Sequence, residues 1–313
     1  MRNISIKAFA KVNLCLDVLG RMEDGYHRVE MILQQIDIHD DINMRWLDDP
    51  EADGVAISLS VKGGREGDVP AGRSNLAWKA ADEMALSYGA GRKGKLSIEI
   101  EKHIPVAAGL AGGSSDCGAV IHGLNILWDL GLDVRQLCET GGKLGSDVPF
   151  CIMAQAAADP VLKELFSADD NAGHCAIARG RGTDMEPIKG LRSYMVLAKP
   201  DISVSTKEAY EGIDGIRIDA HPDIKAMAEA IAEEKDEEIE KNMINVLEKF
   251  TLKRYPMVVY TKNKVQNTSE GPVLMSGSGP TIYCLCRSEE EGRRICEEIS
   301  EDGLDCFCTM TTS

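Results

Sequence analysis

The sequence predicts an α+β protein with two domains. Residues 4–18 and 96–101 alternate apolar and polar side chains, which is typical of strands, whereas apolar residues recur at helical spacing in 222–250 and 288–301. Strands and helices do not alternate as they do in regular βαβ proteins. A chain of 313 residues can build more than one hydrophobic core, so two domains are favoured over one.

Other elements of the first half are predicted from turn residues and short periodic segments. In chain order they are a turn at 24–25, a strand from 26, a loop at 63–72, a helix over 75–87 and a short helix over 135–144. A further helix is predicted to begin near Ser114, Ser115 and Asp116, because these are good N-cap residues. The second half is predicted to add strands over 194–204 (interrupted at Pro200), 273–275, 281–286 and 305–309.

The charge of the chain limits the partners it can have. A formal net charge of −16 repels nucleic acid at long range. No apolar run reaches the roughly 20 residues that span a bilayer, and Arg2 and Lys7 interrupt the segment that a signal peptide would need. The sequence therefore predicts a cytoplasmic protein that binds neither nucleic acid nor membrane. A small phosphorylated ligand is compatible, because a few lysines and backbone amides can hold one locally.

Ten cysteines in a chain of this length indicate free thiols rather than a disulfide scaffold. Two Cys-x-Cys pairs, Cys284/Cys286 and Cys306/Cys308, contain four thiols that could bind zinc. The same spacing places both thiols of a pair on one face of a strand, where cysteine behaves as a small apolar residue. We favour this second interpretation, because structural zinc sites usually place two to four residues between neighbouring cysteines.

A segment of small residues between a predicted strand and a predicted helix is the strongest functional signal. It consists of Pro105, Val106, Ala107, Ala108, Gly109, Leu110, Ala111, Gly112, Gly113, Ser114 and Ser115. Its glycines let the backbone approach a ligand closely, its serines offer hydroxyls, and the start of the following helix attracts an anion. We predict that it binds phosphate. The alternative is a tight strand-to-helix turn without a ligand.

This segment resembles the phosphate loop of the GHMP kinases, a superfamily named for galactose, homoserine, mevalonate and phosphomevalonate. Residues 8–14 and 275–281 resemble the first and third motifs of that family, in the expected order. The resemblance implies a ribosomal-protein-S5-like, ATP-binding domain over 1–155 and a ferredoxin-like domain over 156–313. It also implies ATP and Mg²⁺ as cofactors. Asn75 and Lys102 match positions near the adenine end of ATP, whereas the metal ligands are left unassigned, with Ser115 as one candidate.

Residues 24–27, 145–150 and 204–206 resemble one subfamily of these kinases. That subfamily phosphorylates the 2-hydroxyl of 4-diphosphocytidyl-2-C-methyl-D-erythritol, in the non-mevalonate pathway to isoprenoid precursors. The resemblance implies that Asp147 is the base for the attacking hydroxyl and that Lys11 is the cation that stabilises the transferring phosphoryl group. Taken alone, Asp147 would be interpreted as a turn or capping residue, and Lys11 as a solvated lysine on a strand.

Substrate contacts are implied in the same way. Tyr26 and Tyr210 match residues that stack on the cytosine ring, and His27 matches one that hydrogen-bonds to it. Asn13 and Thr206 match polar contacts to the substrate. Without the resemblance, both tyrosines would be interpreted as core residues with their hydroxyls at the surface, and His27 as a structural histidine.

Two features depart from the family pattern. Roughly twenty additional residues lie near 155–175, where a short helix is expected after Asp159; we favour a surface excursion over a lid. Ala111 stands where a glycine is common, which is tolerable unless the backbone needs a positive φ there. Two other functions stay open: a different GHMP kinase, such as a homoserine or mevalonate kinase, and a non-catalytic nucleotide-binding protein whose site the insertion disrupts.

Overall fold

The computed structural model describes residues 1–64 and 69–313. Part of the loop predicted at 63–72, residues 65–68, therefore lies outside the described residues. The chain forms two compact units, each assembled from separate stretches of sequence. The first unit contains residues 1–10, 38–106 and 111–173, and the second contains residues 11–37, 107–110 and 174–313. The domain boundary predicted near residue 155 stays a prediction.

Two long strands pass from one unit to the other, β1 (Arg2–Arg21) and β2 (His27–Asp48), and they pair with each other. The other elements of the first unit are β3 (Val55–Gly63), α1 (Leu76–Tyr88), β4 (Gly94–Lys102), α2 (Gly112–Leu127), α3 (Val134–Gly142), α4 (Val148–Ala158) and α5 (Pro160–Leu165). β4 pairs antiparallel with β2 and parallel with β3. Of these, β3 and α4 were not predicted.

The core of the first unit lies between this sheet and its helices. Leu96, Ile98 and Ile100 alternate along β4 and are buried, as the period of two predicts. Gly123 brings α2 against β2, because a Cβ added there would lie 2.4 Å from the sulfur of Met44. The sheet and α2 therefore hold fixed positions around the segment that joins β4 to α2.

The start of α2 differs from the prediction. The helix begins at Gly112, with Ala111 in the N-cap position, so the prediction that Ser114, Ser115 or Asp116 caps it is wrong. Those three residues lie in its first turns instead. The cap is made by the left-handed backbone of Ala111 rather than by a side chain, and sequence rules based on capping side chains do not detect such a start.

The segment predicted to contain additional residues, near 155–175, lies in the first unit up to residue 173. Asp159 caps α5 by accepting hydrogen bonds from the N–H groups of Val161 (2.9 Å) and Leu162 (3.1 Å). Its other carboxylate oxygen accepts from the Lys7 N–H at 2.9 Å, which ties the segment to β1. Leu162 is fully buried, whereas Val161 and Leu165 are exposed. The expected short helix is thus present, but only one of its three apolar residues is buried.

The elements of the second unit are β5 (Cys175–Gly180), β6 (Asp184–Ile188), β7 (Tyr194–Lys199), α6 (Thr206–Ile213), α7 (Ile224–Glu233), α8 (Asp236–Asn242), α9 (Glu248–Arg254), α10 (Pro256–Thr268), β8 (Val273–Met275), β9 (Ile282–Cys286), α11 (Glu289–Ser300) and β10 (Asp305–Met310). β5 pairs with β2 and β6 in antiparallel fashion. A second antiparallel sheet has the order β10-β7-β9-β8. Helices α6–α10 connect β7 to β8, and α11 connects β9 to β10, so the predicted ferredoxin-like arrangement is confirmed.

Two predictions in this unit are wrong in detail. The strand predicted over 194–204 ends at Lys199, because Pro200 follows it and Ser205 then caps α6. The helical stretch predicted over 222–250 is two helices and the start of a third, and the left-handed backbone of Glu234 ends the first of them.

Among the described residues, no helix has the length and apolar character needed to span a membrane.

Candidate functional site

The segment between β4 and α2 has an unusual backbone. Ala107, Gly109 and Ala111 have φ values of 53°, 75° and 59°, so three of five consecutive residues are left-handed. Ala111 therefore meets the condition under which its replacement of glycine matters. A left-handed residue with a Cβ costs roughly 1–2 kcal/mol, so the fold must stabilise this conformation from elsewhere.

The start of α2 is suited to an anion. The first N–H groups of a helix have no intrahelical partner, and the helix dipole places a partial positive charge there. No side chain caps α2 and no acidic residue lies in its first turn. A negatively charged group that approached the N–H groups of Gly112, Gly113 and Ser114 would thus meet no competing carboxylate in that turn.

The two serines of this turn differ in their surroundings. Ser115 is fully buried, and its hydroxyl donates to the Phe9 carbonyl at 2.6 Å. The Gln155 side-chain amide donates to the Ser115 carbonyl (2.8 Å) and hydroxyl (3.0 Å). Ser115 therefore fastens α2 to β1 and α4, and this disfavours it as a metal ligand. Ser114 is half-buried, so its hydroxyl is the better candidate for contact with a phosphate.

A buried ion cluster lies beneath this segment. The Lys102 ammonium group contacts Asp40 and lies 2.9 Å from a carboxylate oxygen of Asp116, and all three side chains are buried. Asp40 also accepts hydrogen bonds from the N–H groups of His103 (2.5 Å) and Ile104 (2.8 Å). The end of β4 and the start of α2 are therefore fixed by a single cation and its two carboxylates.

Burial and neighbouring charges shift the pKa values of two groups in this cluster. Burial raises the pKa of Asp116, and Lys102 opposes that rise. Burial would lower the pKa of Lys102, but the two carboxylates outweigh it and hold the pKa above its usual value. The ammonium is also near the loop, because a Cβ added to Gly112 would lie 3.3 Å from it. The contact of Lys102 with adenine stays a prediction. Its observed partners, Asp40 and Asp116, show that its side chain links the end of β4 to β2 and to the start of α2.

Asn75 occupies the N-cap of α1. Its side-chain oxygen accepts from the Ala77 N–H at 2.8 Å, and its amide donates to the Pro70 carbonyl at 2.8 Å. It is therefore a helix cap, and its contact with a nucleotide stays a prediction.

Asp147 occupies the N-cap position of α4 and is half-buried, but its carboxylate makes no capping hydrogen bond. A carboxylate at this end of a helix is favoured by the helix dipole.

In the second unit, a buried lysine contacts the middle of the loop. Lys11 is 4% exposed, its ammonium group donates to the Asn13 side-chain oxygen at 2.9 Å, and its backbone N–H donates to the Leu110 carbonyl at 3.1 Å. The Asn13 carbonyl accepts a hydrogen bond from the buried Tyr283 hydroxyl at 2.9 Å. The resemblance implied different roles for Lys11 and Asn13, and the two side chains are in direct contact.

The third glycine-rich motif packs against the same loop. The Ser276 hydroxyl donates to the Gly109 carbonyl at 3.0 Å. A Cβ added to Gly109 would lie 2.6 Å from the Ser276 carbonyl oxygen, so only glycine fits there. A Cβ added to Gly277 would lie 3.7 Å from the Lys11 ammonium. Asn245 holds this motif by donating to the carbonyls of Met275 (2.8 Å) and Gly277 (2.7 Å).

Aromatic and basic side chains gather elsewhere in the second unit. Tyr26 is 51% exposed, and the Arg181 guanidinium lies 3.7 Å from the centre of its ring, so Tyr26 is not a core residue. The rings of His27 and Tyr210 are 5.4 Å apart. His27 is buried, and its Nε2 lies 2.7 Å from a carboxylate oxygen of Asp214.

Thr206 is exposed at the first residue of α6, and its hydroxyl lies 3.2 Å from that of Ser278. The third glycine-rich motif is thus joined to α6 as well as to the loop. The sequence did not single out four residues that hold these groups in place: Asp40, Arg181, Asp214 and Asn245. Each is distant in sequence from the group it contacts. Asp116, one residue after the loop, was predicted as a possible helix cap and contacts Lys102 instead.

Known proteins match both halves of this architecture. The family model described as GHMP kinases N terminal domain matches residues 75–155, and the model described as GHMP kinases C terminal matches residues 227–304. A crystal structure of a homoserine kinase from Cytophaga hutchinsonii has a TM-score of 0.68 at 18% identity, covering 98% of this chain and 94% of that one. At that identity the likeness shows a shared fold. The class defined by the fold and the loop is that of the GHMP kinases.

Proteins with higher sequence identity show which family within this superfamily the chain resembles. A protein of Alkaliphilus metalliredigens named 4-diphosphocytidyl-2-C-methyl-D-erythritol kinase is 39% identical over 96% of this chain and 94% of its own. One of that name from Geobacillus kaustophilus is 41% identical over 97% and 94%. A crystal structure of 4-(cytidine 5'-diphospho)-2C-methyl-D-erythritol kinase has a TM-score of 0.75 at 26% identity, covering 99% and 100%. The chain therefore belongs to the GHMP kinases and, within them, to the 4-diphosphocytidyl-2-C-methyl-D-erythritol kinase family.

The buried ion cluster should be essential for stability. We expect Lys102→Met to lower the free energy of unfolding by about 3–5 kcal/mol, because it leaves two carboxylates buried without their cation. Lys62→Met is the matched control, since it removes an exposed lysine 2.8 Å from Glu99 and should leave the free energy of unfolding nearly unchanged. Urea denaturation monitored by circular dichroism measures both. Equal losses would show that the cluster has no special weight.

The backbone of Ala111 makes a different prediction. Ala111→Gly should leave the free energy of unfolding unchanged or raise it by up to about 1 kcal/mol, because relief of left-handed strain offsets the greater entropy of the unfolded chain. Ala108→Gly is the control within the same loop. Ala108 is buried and is not among the left-handed residues, so glycine there should cost about 1 kcal/mol. The order of the two values in urea denaturation is decisive, and the reverse order would contradict the argument.

Proposed function

We propose that this protein transfers the γ-phosphoryl group of ATP to the 2-hydroxyl of 4-diphosphocytidyl-2-C-methyl-D-erythritol, giving ADP and the 2-phosphate. The observation that carries the proposal is the loop from Pro105 to Ser115. Its left-handed backbone leads into an uncapped helix start, and the buried Lys11 contacts it at Leu110. Phosphoryl transfer requires both an anion site and a cation, since this chemistry depends on positioning and on stabilisation of charge.

Residues at the start of α2, together with Lys11 and Asn13, have distinct proposed roles in phosphoryl transfer. The N–H groups at the start of α2 and the Ser114 hydroxyl bind phosphate oxygens, and Gly112 and Gly113 leave room for them. Lys11 offsets the charge on the transferring phosphoryl group, and Asn13 keeps its ammonium oriented through the 2.9 Å hydrogen bond. ATP supplies the phosphoryl group. Mg²⁺ is proposed to accompany it, held by phosphate oxygens and water, because the Ser115 hydroxyl is committed to the Phe9 carbonyl.

Asp147 is proposed as the base. It stands at the N-cap position of α4, where the helix fixes the position of its backbone, and its side chain is half-buried. It would accept the proton of the 2-hydroxyl as the oxygen attacks the γ-phosphorus. Thr206 is proposed to contact the substrate, and its neighbour Ser278 belongs to the same glycine-rich motif that braces Gly109.

The cytidine end is proposed to bind at Tyr26, His27 and Tyr210. The half-exposed ring of Tyr26 can stack on a planar base, as can that of Tyr210. In the tautomer that carries its hydrogen on Nε2, His27 donates a hydrogen bond to the Asp214 carboxylate, which leaves Nδ1 as an acceptor for the exocyclic amine of cytosine. A uracil ring has a carbonyl in that place and would be disfavoured.

A direct assay tests the substrate. Purified protein with Mg²⁺–ATP should release ADP when given 4-diphosphocytidyl-2-C-methyl-D-erythritol, and should release none above background with homoserine or mevalonate. Coupled measurement of ADP and mass spectrometry of the phosphorylated product give the result. Release with homoserine but not with the cytidyl compound would assign a different kinase. Binding of ATP in calorimetry without any phosphorylated product would favour a non-catalytic nucleotide-binding protein.

The role of Asp147 can be separated from that of a structural carboxylate. Asp147→Asn should lower kcat by about 10²–10⁴-fold, because it removes the proton acceptor, while the Kd for ATP changes little. Asp133→Asn is the matched control, since Asp133 also stands at a helix N-cap and asparagine caps equally well. That variant should keep its kcat. Similar losses of kcat and of ATP affinity in Asp147→Asn would assign Asp147 a structural role.

A further inference from the structure

Five cysteines gather on one side of the ferredoxin-like sheet. Cys284 and Cys308 both pair with Val196, from the strands on either side of β7, so their side chains share one face of the sheet. Cys286 pairs with Tyr194 and Cys306 with Ala198, two residues from Val196 in opposite directions, so their side chains lie on the same face. α11 covers this face. A Cβ added to its Gly292 would lie 2.7 Å from the Cys308 sulfur and 3.9 Å from the Cys286 sulfur. The proposed kinase mechanism uses none of these thiols.

One pair within this group stands apart from the rest. The sulfurs of Cys296, on α11, and Cys306, on β10, are 2.9 Å apart. Both residues are half-buried and therefore partly exposed to solvent. Cys284 and Cys286 are 4.0 Å apart, but both are buried. A disulfide has an S–S distance of about 2.05 Å, so the first pair needs only a small displacement to bond.

The two thiols also differ chemically. The Cys306 thiol donates its hydrogen bond to the Cys296 sulfur, and this bond lowers the pKa of Cys296. The same bond, together with burial, raises the pKa of Cys306. A thiolate is the nucleophilic form of cysteine, so Cys296 is the attacking sulfur and Cys306 the partner that resolves its oxidised form.

We propose that Cys296 and Cys306 form a redox-active dithiol, which hydrogen peroxide oxidises to a disulfide between α11 and β10. The Cys296 thiolate attacks one peroxide oxygen, the O–O bond breaks, and hydroxide leaves to become water, giving a sulfenic acid. The Cys306 sulfur then attacks the Cys296 sulfur, the S–O bond breaks, and a second water leaves. Two thiols and one peroxide thus give one disulfide and two waters, and a reducing thiol reverses the change.

The arrangement favours a disulfide over a zinc site. Among the described residues, the one group of three potential ligands close enough to share a metal is Asp41, Glu101 and His103, in the first unit. No third cysteine comes that close to the Cys296–Cys306 pair. The strand interpretation of the Cys-x-Cys pairs therefore agrees with the geometry, and the reactive partner of Cys306 is on the helix.

The sequence between the two cysteines allows a direct test. Glutamyl endopeptidase cleaves after Glu297, Glu298 and Glu301, so fragments carrying Cys296 and Cys306 stay joined only through a disulfide. The full-length protein is treated with hydrogen peroxide, alkylated, digested and analysed by mass spectrometry. We expect two thiols to be lost, the two fragments to be linked, and dithiothreitol to separate them. Separate, fully alkylated fragments at peroxide concentrations that oxidise free glutathione would overturn the proposal.

Two variants assign the bond to its atoms. Cys308→Ser should still give the linked fragments, because Cys308 lies in the same fragment as Cys306 but is not the bonding partner. Cys306→Ser should lose the link and leave Cys296 as a sulfenic acid that dimedone traps. Persistence of the link in Cys306→Ser, or its loss in Cys308→Ser, would assign Cys308 instead and contradict the proposal. The wild-type measurement decides the central point even where a variant does not fold.

Discussion

The geometry of the loop depends on the ion pairs that the Lys102 ammonium group forms. A cation cannot remain buried without partners, and Asp40 and Asp116 supply them from β2 and α2. Because Asp40 also holds the backbone of His103 and Ile104, the same carboxylate fixes where the chain leaves β4. The strained conformation of Ala111 can then persist, since the residues before and after it are already held in place.

The middle of the loop is held by a second set of contacts with a different character. Lys11, Ser276 and Asn245 act mainly through backbone carbonyls, which are hydrogen-bonded at Leu110, Gly109 and the third glycine-rich motif. Buried carbonyls need such partners, so the contacts satisfy the backbone and place the Lys11 ammonium at the same time. A loop rich in glycine has little side-chain packing of its own, and its shape therefore comes from neighbours rather than from its sequence.

Much of the fold could be predicted from local sequence, because alternation in β4 and helical spacing in α11 report which face is buried. α4 was missed for the opposite reason. Its residues from Val148 to Ala156 are all buried, so no polar face marks the helical period, and Asp147 before it was interpreted, taken alone, as a turn or capping residue. The candidate site was predicted from its loop and motifs. The partners of Lys102 and His27 could not be, since Asp40 is 62 residues away and Asp214 is 187 residues away.

β1 and β2 each contribute to both compact units, and this affects how the family can evolve. A gene joined from two such kinases at one crossover near residue 155 would take the C-terminal part of the second unit from one parent and the stretch from Lys11 to Asp37 from the other. Side chains such as His27 and Asp214 would then come from different ancestors and would have to match by chance. Recombination by exchange of whole modules is thereby discouraged, and variation is expected to accumulate by point substitution.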